Sequence, residues 1–352
     1  MKVRKIDAPL LIDLSMWREN PWGIAGPAAQ RKRASGLTTL ELCAGGGGQA
    51  LGLEQAGIEH VALVELDKAS CNTLHLNRPE WKVINCDLNG FDGSEFEGAD
   101  LISAGLPCPP FSIAGKQLGD QDERNLFPAM IGVVDRVRPR AVMIENVRGI
   151  LGAIFEDYRQ NVAEQLRRLG YQTGWRLMNA CDFGVPQLRP RVVFVAIRKD
   201  FSEHFTWPAP LQSTPQTVGQ TLYDLMSENG WKGARLWRNR ANEIAPTIVG
   251  GSHKHGGPDL GPTRARRAWE SLGVDGKGLG EQAPSKDFVG LPRLTVRMVA
   301  RLQGFPDDWE FAGSKTRVYR QVGNAFPPPF ARAVATKIRE CLSVHRSVQV
   351  AG

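Results

Sequence analysis

The chain has 352 residues, 42% of them hydrophobic, with a formal net charge of +7 and six cysteines. That length suffices for a sizeable core shared by one large and one smaller domain. The basic balance suits a polyanionic partner or a solvated positive surface. No apolar run reaches the roughly eighteen residues of a membrane span, and the N-terminal MKVRKIDAPLLIDLSMW has acids in its apolar part and no small-residue cleavage site. The cysteines at 43, 71, 86, 108, 181 and 341 lack C-x-x-C spacing, which argues against a disulfide framework or a metal site and for a reduced, cytoplasmic setting.

Residues 1–36 read as a basic extension that includes RKR at 31–33. From residue 37, LTTLELC predicts a strand, GGQALGLEQAG a helix closed by Gly57, HVALVEL a strand and KASCNTLHLN a helix stopped by RP. KVINC and DLISAG predict short strands. A helix from about Asn125 to Val137, the strand RAVMIENV, a helix over about 156–169 and the buried strand RVVFVAIR at 191–198 follow. Alternating short apolar strands and amphipathic helices imply an α/β fold: a doubly wound, mostly parallel sheet covered on both faces.

The rhythm stops near residue 200. Residues 201–290, rich in Gly, Pro, Trp and Arg, predict loops and short strands of a smaller, irregular domain. LTVRMVARLQGF predicts a helix within a hinge and connecting stretch at 291–316. A final helix at about 327–342 is entered through VGNAFPPP, so the α/β domain spans 37–200 plus 317–352.

In such a sheet, ligands bind outside the carboxyl ends of the strands. Those ends carry the glycine loop 45–48, then Glu65 and Asp67, Asp87, Pro107-Cys108, and Glu145-Asn146. Gly45-x-Gly47-x-x-Ala50, with Glu65 about 20 residues on, fits a nicotinamide dinucleotide or any other adenosyl cofactor. In AGLPCPPFS, three prolines force an irregular exit from a strand around Cys108, a candidate nucleophile or a cysteine buried in a proline turn. Glu145 follows the apolar run AVMI, so burial should raise its pKa unless it pairs locally with Arg148. Arg189 and Arg191 in PQLRPR are candidates to activate the thiol, to clamp phosphate or to form surface ion pairs. Thiolate, protonated carboxyl and arginine together suit the addition of a nucleophile to an electron-poor ring.

At these residues the sequence resembles the DNA (cytosine-5) methyltransferases from about Thr38 to Ile338. ELCAGGGG resembles the family's cofactor loop, GLPCPPFSIAGKQ its nucleophile motif, IENV its carboxylate motif, PQLRPR its Q-R-x-R motif and RQVGNAFPPP its final G-N motif. The resemblance implies a Rossmann-like class I methyltransferase fold and S-adenosyl-L-methionine as cofactor. It implies that Cys108 attacks C6 of a flipped-out cytosine, that Glu145 protonates N3, and that Arg191 holds O2 with Arg189 nearby.

For the cofactor, the resemblance implies Glu65 on the ribose, Asp87 on the adenine amine and the Gly45, Gly46, Gly47 and Gly48 backbone at the methionine end. Cys43, Ala44, Leu66, Leu88, Pro107, Asn324 and Ala325 would complete that site. Double-stranded DNA is the implied partner, with residues 201–290 as the target-recognition domain and residues 107–126 as a loop over the DNA that includes Ser112 and Arg124. A restriction endonuclease acting separately is a further implied partner. Arg264, Arg266 and Arg267 in GPTRARR follow glycine turns and are the candidate DNA readers; Trp231, Trp237 and Trp269 suit a small core or base contacts. Cys43 and Pro109 depart from the family, which usually has phenylalanine and glutamine there. An RNA cytosine methyltransferase of the same fold, a silent DNA-binding regulator and a nicotinamide enzyme are the competing readings.

Overall fold

The computed structural model describes residues 36–107, 125–251 and 257–349. The basic extension through residue 35 and the segment holding Cys108, Ser112 and Arg124 lie outside these residues. Among the described residues, one sheet holds seven strands: β1 Leu37–Leu42, β2 Ile58–Glu65, β3 Val83–Asn85, β4 Leu101–Gly105, β5 Ala141–Val147, β6 Tyr171–Asn179 and β7 Pro190–Arg198. Their spatial order is β3-β2-β1-β4-β5-β7-β6. β1 pairs in parallel with β2 and β4, β2 with β3, and β4 with β5, while β7 runs antiparallel to both β5 and β6. The chain winds outward from β1 through α1 (Gly48–Gln55), β2 and α2 (Lys68–Asn77) to β3, then restarts beside β1 at β4. The topological switch point, where such sheets bind ligands, therefore lies between β1 and β4.

Helices α3 (Phe127–Val137), α4 (Glu156–Arg168) and the long α10 (Pro328–Gln349) complete the α/β layers. Ile102, Ala104, Val142, Ile144, Phe194 and Ala196 form one apolar cluster with α3 and α4, whereas Met143, Val193, Val195 and Ile197 pack with α10. This alternation of neighbouring strand residues between two clusters is why AVMI and VVFVAI are apolar throughout. β6 follows another logic: its residues QTGWRLM are mostly part-exposed at the sheet edge, so no continuous apolar run announces it.

Residues 201–290 correct the expectation of loops and short strands. They carry three helices, α5 (Val218–Ser227), α6 (Ala234–Arg240) and α7 (Thr263–Ser271). α7 buries one side chain, Trp269, which leaves no helical period to read. Trp231, Trp237 and Trp269 are all buried, in the same apolar cluster as Leu51 of α1 and Leu74 of α2. They build the core rather than a surface for bases. α8 (Val296–Leu302) and α9 (Lys315–Asn324) follow; Val318, Tyr319 and Val322 mark the buried side of α9. No helix among the described residues is long and apolar enough to cross a membrane.

Gly52 sets the approach of α1 to α10. A Cβ added there would lie 2.6 Å from both Ala331 Cβ and Pro328 O. Gly52→Ala should therefore force the helices apart and destabilise the protein by about 1–3 kcal/mol. Denaturant unfolding should show a lower midpoint at unchanged slope.

Candidate active site

β7 runs against β5, so its first residues lie beside the carboxyl end of β5. Glu145 pairs with Gly105 of β4 on one side and with Val193 on the other, and Val147 pairs with Arg191. Glu145 and Val147 share one face of β5 because strand side chains alternate, and that puts Arg191 diagonally across from Glu145. Arg191 Nε meets Glu145 Oε1 at 2.7 Å, with both side chains largely buried. Burial pushes the Glu145 carboxyl above the ordinary carboxylate range, against the pull of Arg191 and Arg189. Its partner is thus Arg191, not Arg148.

Arg189 stands two residues before Arg191 and is fully buried. Its guanidinium donates to the carbonyls of Ile248 at 2.6 Å, Gly323 at 2.7 Å and Ala325 at 3.2 Å. Its work is to hold backbone, and its link to Glu145 is electrostatic. Gln187 joins the same knot: Oε1 accepts from Ile248 N–H at 2.9 Å, and Nε2 donates to Gln303 Oε1 at 2.6 Å. Gln303 Nε2 in turn donates to Ala325 O at 2.7 Å. The two backbones that Arg189 joins also touch directly, since a Cβ on Gly323 would lie 2.5 Å from Gly250 Cα. Gln187 and Gln303 had no expected role. A glutamine closing the apolar helix of MVARLQGF was the available signal.

The glycine loop lies at the switch point. Cys43, just past β1, has φ +55°, a left-handed backbone that a residue with a side chain rarely adopts. A Cβ on Gly105 of β4 would stand 3.3 Å from Cys43 O, so the two strand exits approach closely. Glu65 at the end of β2 takes the Gly45 N–H at 2.7 Å and the Asp67 N–H at 2.7 Å, and burial raises its pKa. Burial raises the Cys43 thiol pKa, and the Glu65 and Asp87 carboxylates push it further. These side chains therefore converge on one locality. Around them, Leu66 is 66% exposed, an apolar side chain with little protein cover. A Cβ on Gly45 would meet nothing within 4 Å.

The remaining expected site residues divide by what they offer. Ala44, Gly46, Gly47 and Gly48 are buried or nearly so and line the loop with backbone. Asp87 is exposed, with one carboxylate oxygen on Asn89 N–H at 2.9 Å. Leu88 and Ala325 are buried, and the Ala325 carbonyl accepts from both Gln303 and Arg189. Pro107 is half-buried just beyond β4. Asn324 is exposed, with its amide N on Gly251 O at 3.3 Å. Arg264, Arg266 and Arg267 sit on α7, not on a glycine-hinged loop; Arg264 and Arg267 are exposed, and Arg266 packs against Gly276. No cluster of three or more potential metal-ligating side chains occurs among the described residues.

The profile of the C-5 cytosine-specific DNA methylases matches residues 37–340. Type II methyltransferase M.NgoMIV of Neisseria gonorrhoeae is 52% identical over 309 residues, covering 87% of this chain and 98% of that protein. Type II methyltransferase M.NaeI of Lentzea aerocolonigenes is 53% identical over 315 residues, covering 88% of this chain and 76% of its own length. Among solved structures, DNMT2 of Spodoptera frugiperda superimposes with a TM-score of 0.59 at 20% identity, covering 86% of this chain and 99% of that one, a likeness of fold. With its Rossmann-like sheet and its carboxylate–arginine pair at the carboxyl ends, the chain belongs to the C-5 cytosine-specific DNA methylases and is a DNA (cytosine-5) methyltransferase.

Proposed function

We propose that the protein methylates carbon 5 of one cytosine within a specific double-stranded DNA sequence, through a covalent bond from Cys108 to C6 of the flipped-out base. The observation that carries this reading is the buried Glu145–Arg191 pair beside Gly105, three residues before Cys108. A base stacked in a duplex cannot reach a crevice at the strand ends, so the target must leave the helix.

The residues around the glycine loop fit S-adenosylmethionine. The open space over Gly45, the exposed Leu66 and the Glu65 and Asp87 carboxylates offer places for the methionine end, the adenine face, the ribose hydroxyls and the adenine amine. Asn324, Pro107, Cys43, Leu88 and Ala325 would close that site. When bound, this cofactor supplies the electrophilic methyl group that C5 accepts.

The protein's own groups make C5 able to accept it. The Cys108 thiolate forms the Sγ–C6 bond as Glu145 gives its proton to N3, and the C5=C6 pair of electrons becomes enamine-like. Arg191 orients Glu145 and holds O2 through its other guanidinium N–H groups. After methylation a base removes the C5 proton, the Sγ–C6 bond breaks, and N3 returns its proton to Glu145. A raised Glu145 pKa serves both proton transfers, since donor and acceptor then lie closer in affinity. Arg189 positions Arg191 rather than touching the base. Residues 201–290 read the DNA, with the exposed Arg264 and Arg267 of α7 as candidates for phosphate or guanine contacts. Ser112 and Arg124, in the segment that follows Cys108, would contact the DNA beside the flipped base. The relatives, named Type II methyltransferases, fit a modification enzyme paired with a separate endonuclease.

DNA with 5-fluorocytosine at the target should give an adduct that survives denaturing electrophoresis, because fluorine cannot leave as a cation. Cys108→Ser should form none at the wild-type rate; an equal rate would remove Cys108 from the chemistry. Glu145→Gln should lower kcat by about 10²–10⁴-fold while calorimetry finds S-adenosylmethionine affinity little changed. Loss of cofactor binding in that variant would assign Glu145 to the cofactor instead.

A further inference from the structure

The segment Phe305–Gln321 forms a strap across the outside of the glycine loop. Trp309, buried, donates its indole N–H to Gly46 O at 3.1 Å. Its ring fills the space beside Gly47, where a Cβ would lie 2.6 Å from the indole. Gly47 also has φ +86°, so glycine is required there twice over, by backbone and by contact. The guanidinium of Arg78 sits 5.4 Å from the same ring and pairs with Glu54 of α1 through two hydrogen bonds of 2.9 Å. Further along the strap, Asn77 exchanges two hydrogen bonds with Glu310, and Thr73 joins Gln321 to Ala312. A Cβ on Gly46 would stand 3.0 Å from Gln321 Cβ.

We infer that Trp309 is a positioning residue for the cofactor: its hydrogen bond to Gly46 and its contact with Gly47 hold the glycine loop in the shape that receives the methionine end of S-adenosylmethionine. This rests on the cofactor reading above. The physical reason lies in the peptide units. Glu65 pins the Ala44–Gly45 peptide through the Gly45 N–H, and Trp309 pins the Gly46–Gly47 peptide through its carbonyl. The rigid Gly45–Gly46 peptide between them then has little freedom to turn. Four successive glycines would otherwise sample many backbone states, and a ligand would have to select one of them. The indole N–H contributes nothing to the cytosine chemistry, so its loss should weaken cofactor binding and spare the chemical step.

Trp309→Phe in the full-length protein keeps a ring and deletes the donor. Calorimetric S-adenosylmethionine affinity and the cofactor KM should worsen by about tenfold, the size of one buried hydrogen bond. The kcat at saturating cofactor should stay within about twofold, the sign of an effect on binding alone. Trp237→Phe is the matched control. Its indole donates to Gly273 O at 3.1 Å in the same apolar cluster, and the variant should bind cofactor as the wild type does. Unchanged affinity in Trp309→Phe, an equal loss in Trp237→Phe, or a fall in kcat as large as the rise in KM would overturn the inference. Failure of the wild type itself to bind S-adenosylmethionine would overturn the cofactor reading and this inference with it.

Discussion

The Arg189 guanidinium holds together the parts that the proposed chemistry needs in one place. A fully buried arginine is costly unless it is hydrogen-bonded, and here three carbonyls from two distant segments accept from its two terminal nitrogens. One segment, around Ile248, comes from the stretch assigned to DNA reading. The other, Gly323 to Ala325, sets Ala325 against Gly48 of the glycine loop. The anchor lies two residues from Arg191, the partner of Glu145. Gln187 and Gln303 satisfy further polar groups of the same knot, and Gly250 and Gly323 let the two backbones touch. The glycine loop, the Glu145–Arg191 pair and the stretch around Ile248 are thereby held in a common register by hydrogen bonds rather than by one continuous strand or helix.

The sheet supplies the other constraint. Reversal of β7 is what allows an arginine near the start of one strand to meet a glutamate near the end of another. Had β7 run parallel to β5, its first residues would lie at the far edge of the sheet. The switch point lies between β1 and β4, and Gly105 lets the exit of β4 come close to Cys43. Burial then acts differently on neighbouring groups. It raises the pKa of Glu145, which suits proton exchange, and that of Cys43, which keeps this second thiol protonated.

Much of this was legible in the sequence, for physical reasons. The predicted helix KASCNTLHLN coincides with α2 because Asp67 caps its start and RP ends it. Fully apolar strands such as AVMI declare two-sided burial. The positions of Glu145, Glu65 and the glycine loop followed from reading strand ends. Three features were hidden. β6 lies at an edge and mixes polar with apolar residues. α7 buries Trp269 alone, so its arginines read as loop. The role of Arg189 depends on carbonyls 59 and 134 residues away, which no local pattern encodes. Cys108, Ser112 and Arg124 lie outside the described residues, so their roles rest on the motif and the family.

Bisulfite sequencing of DNA and RNA from a host that expresses the protein addresses the central claim most directly. One cytosine of one recurring duplex sequence should resist conversion on every occurrence, while the same host without the protein shows complete conversion. Complete conversion of the DNA, or protection confined to RNA, would contradict a sequence-specific DNA cytosine-5 methyltransferase.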